Sequence, residues 1–287
     1  MKYYLVTTEH LEDKVWFRDS DDFVVAMNLV AVVAFTLNVS ILAFILMSNH
    51  VHFVLECEKW MAEMFINELK KQYSRYFRLK YGAKELLRGN KNDIQELSLG
   101  DESLERAIAY VQMNCVAANI CAEPFSYPWG TGGAFFQAYP HEGKCLCCFS
   151  GRHQARLLHS KVKLPGDLRV GKEGYILPES YVKVKFVESL FRTPKRYNYF
   201  QLNSSKAKKR LESGDSSIPS FKDQIIIASL SDLCNSLFGV GSVSGLEQEQ
   251  LTELFRQLRY RFSSNVEQIA RVTGIPVSSV IQSLDRI

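Results

Sequence analysis

Two histidines separated by one residue, His50 and His52, interrupt a run from Ile41 to Leu55 that otherwise reads as a buried strand. Side chains on a strand alternate faces, so both imidazoles point the same way, roughly 6.5–7 Å apart along the backbone. Two neutral imidazoles converging from one rigid face make half of a divalent metal site. A hydrophobic core has no use for two adjacent polar rings, and burying them unpaired costs free energy. By itself an H-x-H pair is a weak motif, because exposed strand ends and hydrogen-bonded core histidines show the same spacing.

A second pair completes the chemistry. Tyr110 and Asn114 stand four residues apart in a stretch of helical character, so they share one helix face, a turn apart. If that face meets the sheet surface carrying His50 and His52, Asn114 supplies a third, oxygen ligand and Tyr110 sits beside the ion. Mixed imidazole and oxygen ligation with open positions suits Mg²⁺ or Mn²⁺ held jointly with a phosphate. Such an ion stabilises charge in an in-line displacement at phosphorus. A tyrosine hydroxyl attacking that phosphorus leaves a phosphotyrosine ester and a free hydroxyl on the other strand end, and the stored ester can be passed to a new end without ATP.

The segments Met47-Ser48-Asn49-His50-Val51-His52-Phe53-Val54-Leu55 and Tyr110-Val111-Gln112-Met113-Asn114 together resemble the single-tyrosine HUH transposases, which include insertion-sequence and REP-associated tyrosine transposases. The resemblance covers about residues 1–140, including Phe17-Arg18-Asp19 and the Pro-Trp-Gly loop at 128–130. It implies a ferredoxin-like α+β HUH core, an antiparallel sheet with packed helices. It also implies a divalent metal, Mg or Mn, and cleavage and rejoining of single-stranded DNA at hairpin-flanked sites, either REP-like hairpins or insertion-sequence ends. By the same match His50, His52 and Asn114 are metal ligands and Tyr110 is the nucleophile. Asn114-Cys115 departs from the Asn-Pro that is frequent in the family, and residues beyond 140 have no counterpart in its shortest members.

The elements that must position these residues are readable in outline. Lys2–Thr7 reads as a strand, and the uncharged run from Phe23 to Asn49 divides at Asn38-Val39-Ser40 into a helix from about Asp21 to Leu37 and a strand from about Val39 to Met47. Ser20 is the expected N-cap, with Asp21 and Asp22 at the positive end of the helix dipole. A membrane-spanning helix is the competing reading of this run. His50–Glu56 continues or hairpins from the strand, a long helix runs from about Met61 to Tyr81, Lys84–Gly100 has no clear period, and a helix from Asp101 to about Ala118 carries Tyr110 and Asn114. The expected units are an HUH domain at 1–140, an extension and linker at 141–220 with Ser204–Ser220 as the linker, and a mostly helical unit at 221–287.

Two regions point to nucleic acid. Around the long helix, Lys70, Lys71, Arg75, Arg78, Lys80, Lys84, Arg88 and Lys91 are interleaved with Tyr73, Tyr76, Phe77 and Tyr81. Cations can neutralise phosphates there and rings such as Tyr76 can stack bases, although some of these rings belong to the core. Near the C-terminus, Val266–Thr273, Gly274 and Pro276–Ile281 read as helix, turn, helix. Such units bind DNA or serve as packing modules, and in the DNA-binding reading Ser278, Ser279 and Gln282 face the groove.

Composition bounds the rest. With 287 residues, 46% hydrophobic, the chain can bury a sizeable core, and its net charge of +4 says little about partners. Seven cysteines with no secretory signal ahead of them favour free thiols in a reducing bacterial cytoplasm, near the nucleoid for a DNA enzyme. Cys145, Cys147 and Cys148, with His141 and His153 nearby, raise a secondary zinc reading. The expected partner is single-stranded DNA bearing a hairpin and not a membrane. The sequence leaves open a homodimer, with Tyr110 acting in cis or across it. The competing function is a non-catalytic, domesticated DNA-binding regulator derived from such a transposase.

Overall fold

Asp19, in extended backbone, accepts the Asp22 N–H at 2.9 Å and caps helix α1 (Ser20–Leu37). The cap is therefore one residue earlier than the expected Ser20, whose hydroxyl is engaged by a distant arginine instead. The computed structural model describes residues 2–11, 15–82, 86–87, 89–118, 120–139, 141–203, 223–262, 264 and 266–285. Lys84, Arg88 and the expected linker Ser204–Ser220 lie outside them.

Helix α1 lacks a polar face because it is packed from several sides. One side meets the main core, while Ala31 and Val32 meet a separate cluster with Leu146, Leu158 and Ile176. That explains the long apolar run without a membrane, since 67% of the helix is inside the protein. Its chain reverses at Asn38, in the left-handed region (φ 53°), and enters β2 (Ser40–Met47). Strand β3 (His50–Cys57) hairpins back on β2, and β1 (Lys2–Thr8) and β4 (Asn92–Leu97) complete an antiparallel sheet of order β2-β3-β1-β4. With α1 and α2 (Lys59–Tyr81) as the crossovers, this is the ferredoxin-like order.

Strand β4 is the element hidden in the aperiodic Lys84–Gly100 stretch. Among the described residues it is an edge strand bonded only to β1, so half of its side chains are exposed and no apolar alternation marks it.

The two sheet faces are covered by different helices. On β3, Phe53 packs edge-on against Phe65 of α2 at 5.0 Å, whereas its neighbour His52 meets Tyr110 of α3 (Ser103–Gln112) at 5.4 Å. The helix expected to run unbroken to about Ala118 instead breaks at Met113, and the short α4 (Asn114–Ala117) follows.

Residues 141–203 add their side chains to the same core. They form β5 (Lys144–Cys145), α5 (Gly151–Leu157), β6 (Arg169–Val170), α6 (Val184–Phe191) and α7 (Pro194–Leu202). Tyr175, Leu177, Val187, Phe191 and Phe200 all join the cluster built on the sheet. Among the described residues, no three His, Cys, Asp or Glu side chains gather as a metal site. The zinc reading of Cys145, Cys147 and Cys148 therefore finds no support, two of these thiols being exposed on a short turn.

Helices α8 (Asp223–Phe238), α9 (Gln248–Phe262), α10 (Val266–Thr273) and α11 (Val277–Asp285) form a second hydrophobic cluster. Gly274 (φ 73°) makes the turn into α11, a conformation that costs glycine little. This unit is tied to the first. Val15 inserts into its core, Arg18 pairs with Asp232 at 3.1 Å, and the buried Arg261 donates to Ser20 Oγ at 2.5 Å.

Candidate active site

The histidines sit where β2 turns into β3. Met47 pairs with His50 across a two-residue turn, Ser48-Asn49, and neither turn residue has positive φ. Two-residue hairpins ordinarily rely on left-handed residues, so this turn takes its shape from its surroundings. The Ser48 carbonyl accepts from Trp16 N at 2.7 Å and the Asn49 carbonyl from Leu11 N at 3.0 Å. Thr8 Oγ1 accepts from Val51 N at 3.0 Å, and Ser48 Oγ donates to the Arg261 carbonyl. The segment after β1 and the C-terminal unit thus hold the turn from two sides.

Both imidazoles are buried, His50 at 5% and His52 at 0% exposure. Their rings meet edge-to-face with centroids 4.7 Å apart, so the same-face expectation holds. Each is oriented through Nδ1: His50 with Asn49 Oδ1 at 2.7 Å, His52 with Thr7 Oγ1 at 3.0 Å. An Nδ1–H donated to either oxygen fixes the tautomer whose Nε2 carries the lone pair. This is how ligating histidines are prepared, and the donor set fits a divalent cation.

Tyr110 presents its ring to His52 at 5.4 Å and 84° within a single chain, so no second copy is needed to bring them together. Burial raises its phenol pKa, and the hydroxyl rests protonated at neutral pH. Asn114 is buried at the α3–α4 break. Its Nδ2 donates to the Tyr110 carbonyl at 2.8 Å, which fixes the amide to the turn bearing the tyrosine, and its Oδ1 is an oxygen of the kind a hard cation takes. The structure thus gathers His50, His52 and Tyr110 by direct ring contact and ties Asn114 to the Tyr110 backbone.

One neighbour escaped the sequence reading. The His10 ring stacks on His50 with centroids 3.7 Å apart and planes 14° apart. Only the register of β1 on β3, with Thr7 opposite His52, brings the residues after β1 here, and nothing local marks that register.

The expected nucleic-acid contacts divide. Lys71, Arg75 and Arg78 are exposed on the outer face of α2. Lys70 is buried and donates to the Asn90 carbonyl at 2.7 Å and to Asn92 Oδ1 at 2.5 Å, so it joins α2 to the β4 edge and does not face solvent. Tyr76 is half-buried, with its hydroxyl on Asp22 at 2.9 Å. In α11, Ser278 and Gln282 are exposed and Ser279 is half-buried.

Residues 1–113 match the family model described as Transposase IS200 like. This N-terminal part of the chain is similar to the IS200-like transposases. The match takes in the two histidines and Tyr110 and stops one residue short of Asn114. A solved structure titled as a REP-associated tyrosine transposase bound to a REP hairpin is similar over 59% of this chain and 92% of its own, at 12% identity and a TM-score of 0.38. No curated protein matches the chain. On this match the first unit is transposase-like, and its four-stranded antiparallel sheet with packed helices agrees with the expected α+β class.

Proposed function

We propose that the chain is a metal-dependent, single-tyrosine enzyme that cleaves and rejoins single-stranded DNA at hairpin-flanked sites. The observation that carries the reading is the contact of Tyr110 with His52, which in turn packs on His50. In this reading His50 Nε2, His52 Nε2 and Asn114 Oδ1 hold Mg²⁺ or Mn²⁺. When bound, the ion polarises the scissile phosphate and lowers the cost of charge in the in-line transition state.

Tyr110 Oη attacks phosphorus, and its proton passes to the oxygen of the departing strand end. The Oη–P bond forms as the bond to the departing strand end breaks, and that end leaves as a hydroxyl. Because one phosphodiester has become another, a hydroxyl from a new end reverses the step. Asn114 keeps the tyrosine turn in register through its bond to the Tyr110 carbonyl. Asn49 holds His50 in the ligating tautomer, and Thr7 orients the His52 ring. Lys71, Arg75 and Arg78 bind phosphates, and α11 offers Ser278, Ser279 and Gln282 to base edges.

Incubation of the full chain with hairpin-bearing single-stranded DNA and Mg²⁺ or Mn²⁺ tests this on a denaturing gel. A covalent protein–DNA adduct is expected from the wild type, and none from Tyr110→Phe or after chelation. An adduct that persists in Tyr110→Phe would refute the nucleophile. DNA binding with no adduct on any matched hairpin would establish the non-catalytic regulator instead.

A further inference from the structure

The outer face of α2 does not end in open solvent. It forms one wall of a groove of about 1540 Å³ whose other wall is the end of α5 and the segment after it. From α2 come Lys71, Arg75 and Arg78, and from the extension Arg156, His159 and Lys161. Among the described residues, Glu68 is the only acid lining the groove, and it is engaged by Lys71 at 3.2 Å and by Gln72 at 3.0 Å. Among the described residues, Arg75, Arg78, Arg156 and Lys161 have no carboxylate partner. Four uncompensated cations facing one groove from two elements is not what a fold needs for its own stability, since like charges brought together repel.

On α2 the cations fall at positions 71, 75 and 78, one helix face that spans about 10 Å. They meet successive phosphates along a strand rather than a single anion. The aromatic content of the groove is just as informative. Its rings are those of Tyr76 and His159, which pack edge-on against each other at 5.2 Å, and the Tyr76 hydroxyl is held by Asp22. These two rings, engaged with each other, offer unpaired bases little of the stacking surface that is the usual source of single-strand affinity. The groove is built to read phosphates and leave bases alone, which suits nucleic acid whose bases are already paired. It also lies on the α2 side of the sheet, opposite the face where His52 meets Tyr110.

We infer that the groove between α2 and residues 155–162 seats the phosphate backbone of a base-paired DNA stem, away from the strand that reaches Tyr110. The extension then has a definite role: it supplies half of the stem-binding groove. The identity of the ligand as DNA rests on the function proposed above, whereas the phosphate chemistry of the groove does not.

Fluorescence anisotropy with the full-length Tyr110→Phe chain separates the two. Labelled probes are a short DNA hairpin and an unpaired strand of equal length, each titrated across a range of salt. Each duplex phosphate contact contributes about 0.9 to the slope of log K against log salt. The triple change Arg75→Gln, Arg156→Gln and Lys161→Gln is expected to lower the hairpin slope by about 2.7 and to weaken binding on the order of a hundredfold near 0.15 M salt. Arg156→Gln alone, a single exposed position, is expected to lower it by about 0.9. Unchanged affinity and slope in both variants would overturn the groove. An equal loss for the unpaired strand would overturn the assignment to a stem. A failure of the wild-type chain to form any tyrosine adduct, with these losses intact, would sink the proposed chemistry and leave the groove standing.

Discussion

The bond between Asn49 Oδ1 and His50 Nδ1 is short, at 2.7 Å, and the amide is buried, so replacing Asn49 by Ala is a sharp probe of the metal reading. In the intact site the amide oxygen selects the imidazole tautomer with its proton on Nδ1, and Nε2 is then a lone-pair donor. Without that acceptor a buried Nδ1–H costs about 1–3 kcal/mol. The ring escapes the cost by moving its proton to Nε2, which removes its ability to ligate, so either outcome weakens the site. Partners of ligating histidines are typically worth 10–100-fold in metal affinity, about 1.4–2.7 kcal/mol. Asn49→Ala belongs toward the upper end because its 2.7 Å contact to His50 is the shorter of the two. Thr7→Val, at the longer 3.0 Å contact to His52, belongs toward the lower end. Titration with Mn²⁺, following the free ion by electron paramagnetic resonance, measures both. Wild-type affinity in Asn49→Ala, or undiminished affinity in His50→Ala, would refute the assignment of the ligating nitrogens.

Two further outcomes test the framework around the site. Arg261 is 2% exposed, donates to Ser20 and Gln257 and lies over the Phe23 ring, but its Nη1 has no partner among the described residues. Arg261→Ala is expected to cost about 2–4 kcal/mol in urea unfolding, and Arg261→Met to recover at least half by refilling the volume; equal losses would show that charge rather than volume holds the joint. Burial pushes Lys70 down to about 8, below the ordinary lysine value of about 10.4. Between those values the unfolded chain binds more protons than the folded one, so this group makes stability rise with pH there. The melting temperature of wild type relative to Lys70→Met is expected to climb from about pH 8 to pH 10, and a flat difference would exclude the shift.

The chemistry was legible where it rested on local geometry. Strand parity alone puts His50 and His52 on one face, and helix pitch alone puts Tyr110 a turn from Asn114. Their meeting across the sheet was conditional on which face α3 covers, a fact of tertiary packing that no single segment encodes. The α2 cations show the same boundary. Lys70 and Lys71 are adjacent in sequence, yet one faces β4 and the other the groove, because consecutive helix positions are about 100° apart. A count of basic residues cannot sort them. Strand β4 was illegible for a different reason: an exposed edge strand held by backbone bonds to one neighbour needs no apolar pattern.

The Ser48-Asn49 turn carries this furthest. Its residues lack the left-handed conformations that would let a two-residue hairpin specify itself, so its geometry is borrowed from Leu11, Trp16 and Arg261. Arg261 is more than two hundred positions away and belongs to α9, the helix just before the α10–α11 pair. The same residue that accepts from the turn through its carbonyl reaches the start of α1 through its guanidinium. A rearrangement of the C-terminal unit cannot leave the turn untouched, because no independent turn propensity would hold His50 in place. The histidine spacing is thus written into β3, but the position of the pair is set jointly by both units. That physical link gives the C-terminal unit a route to influence the site, from the Arg261 carbonyl through the hydroxyl of Ser48, the residue that precedes Asn49.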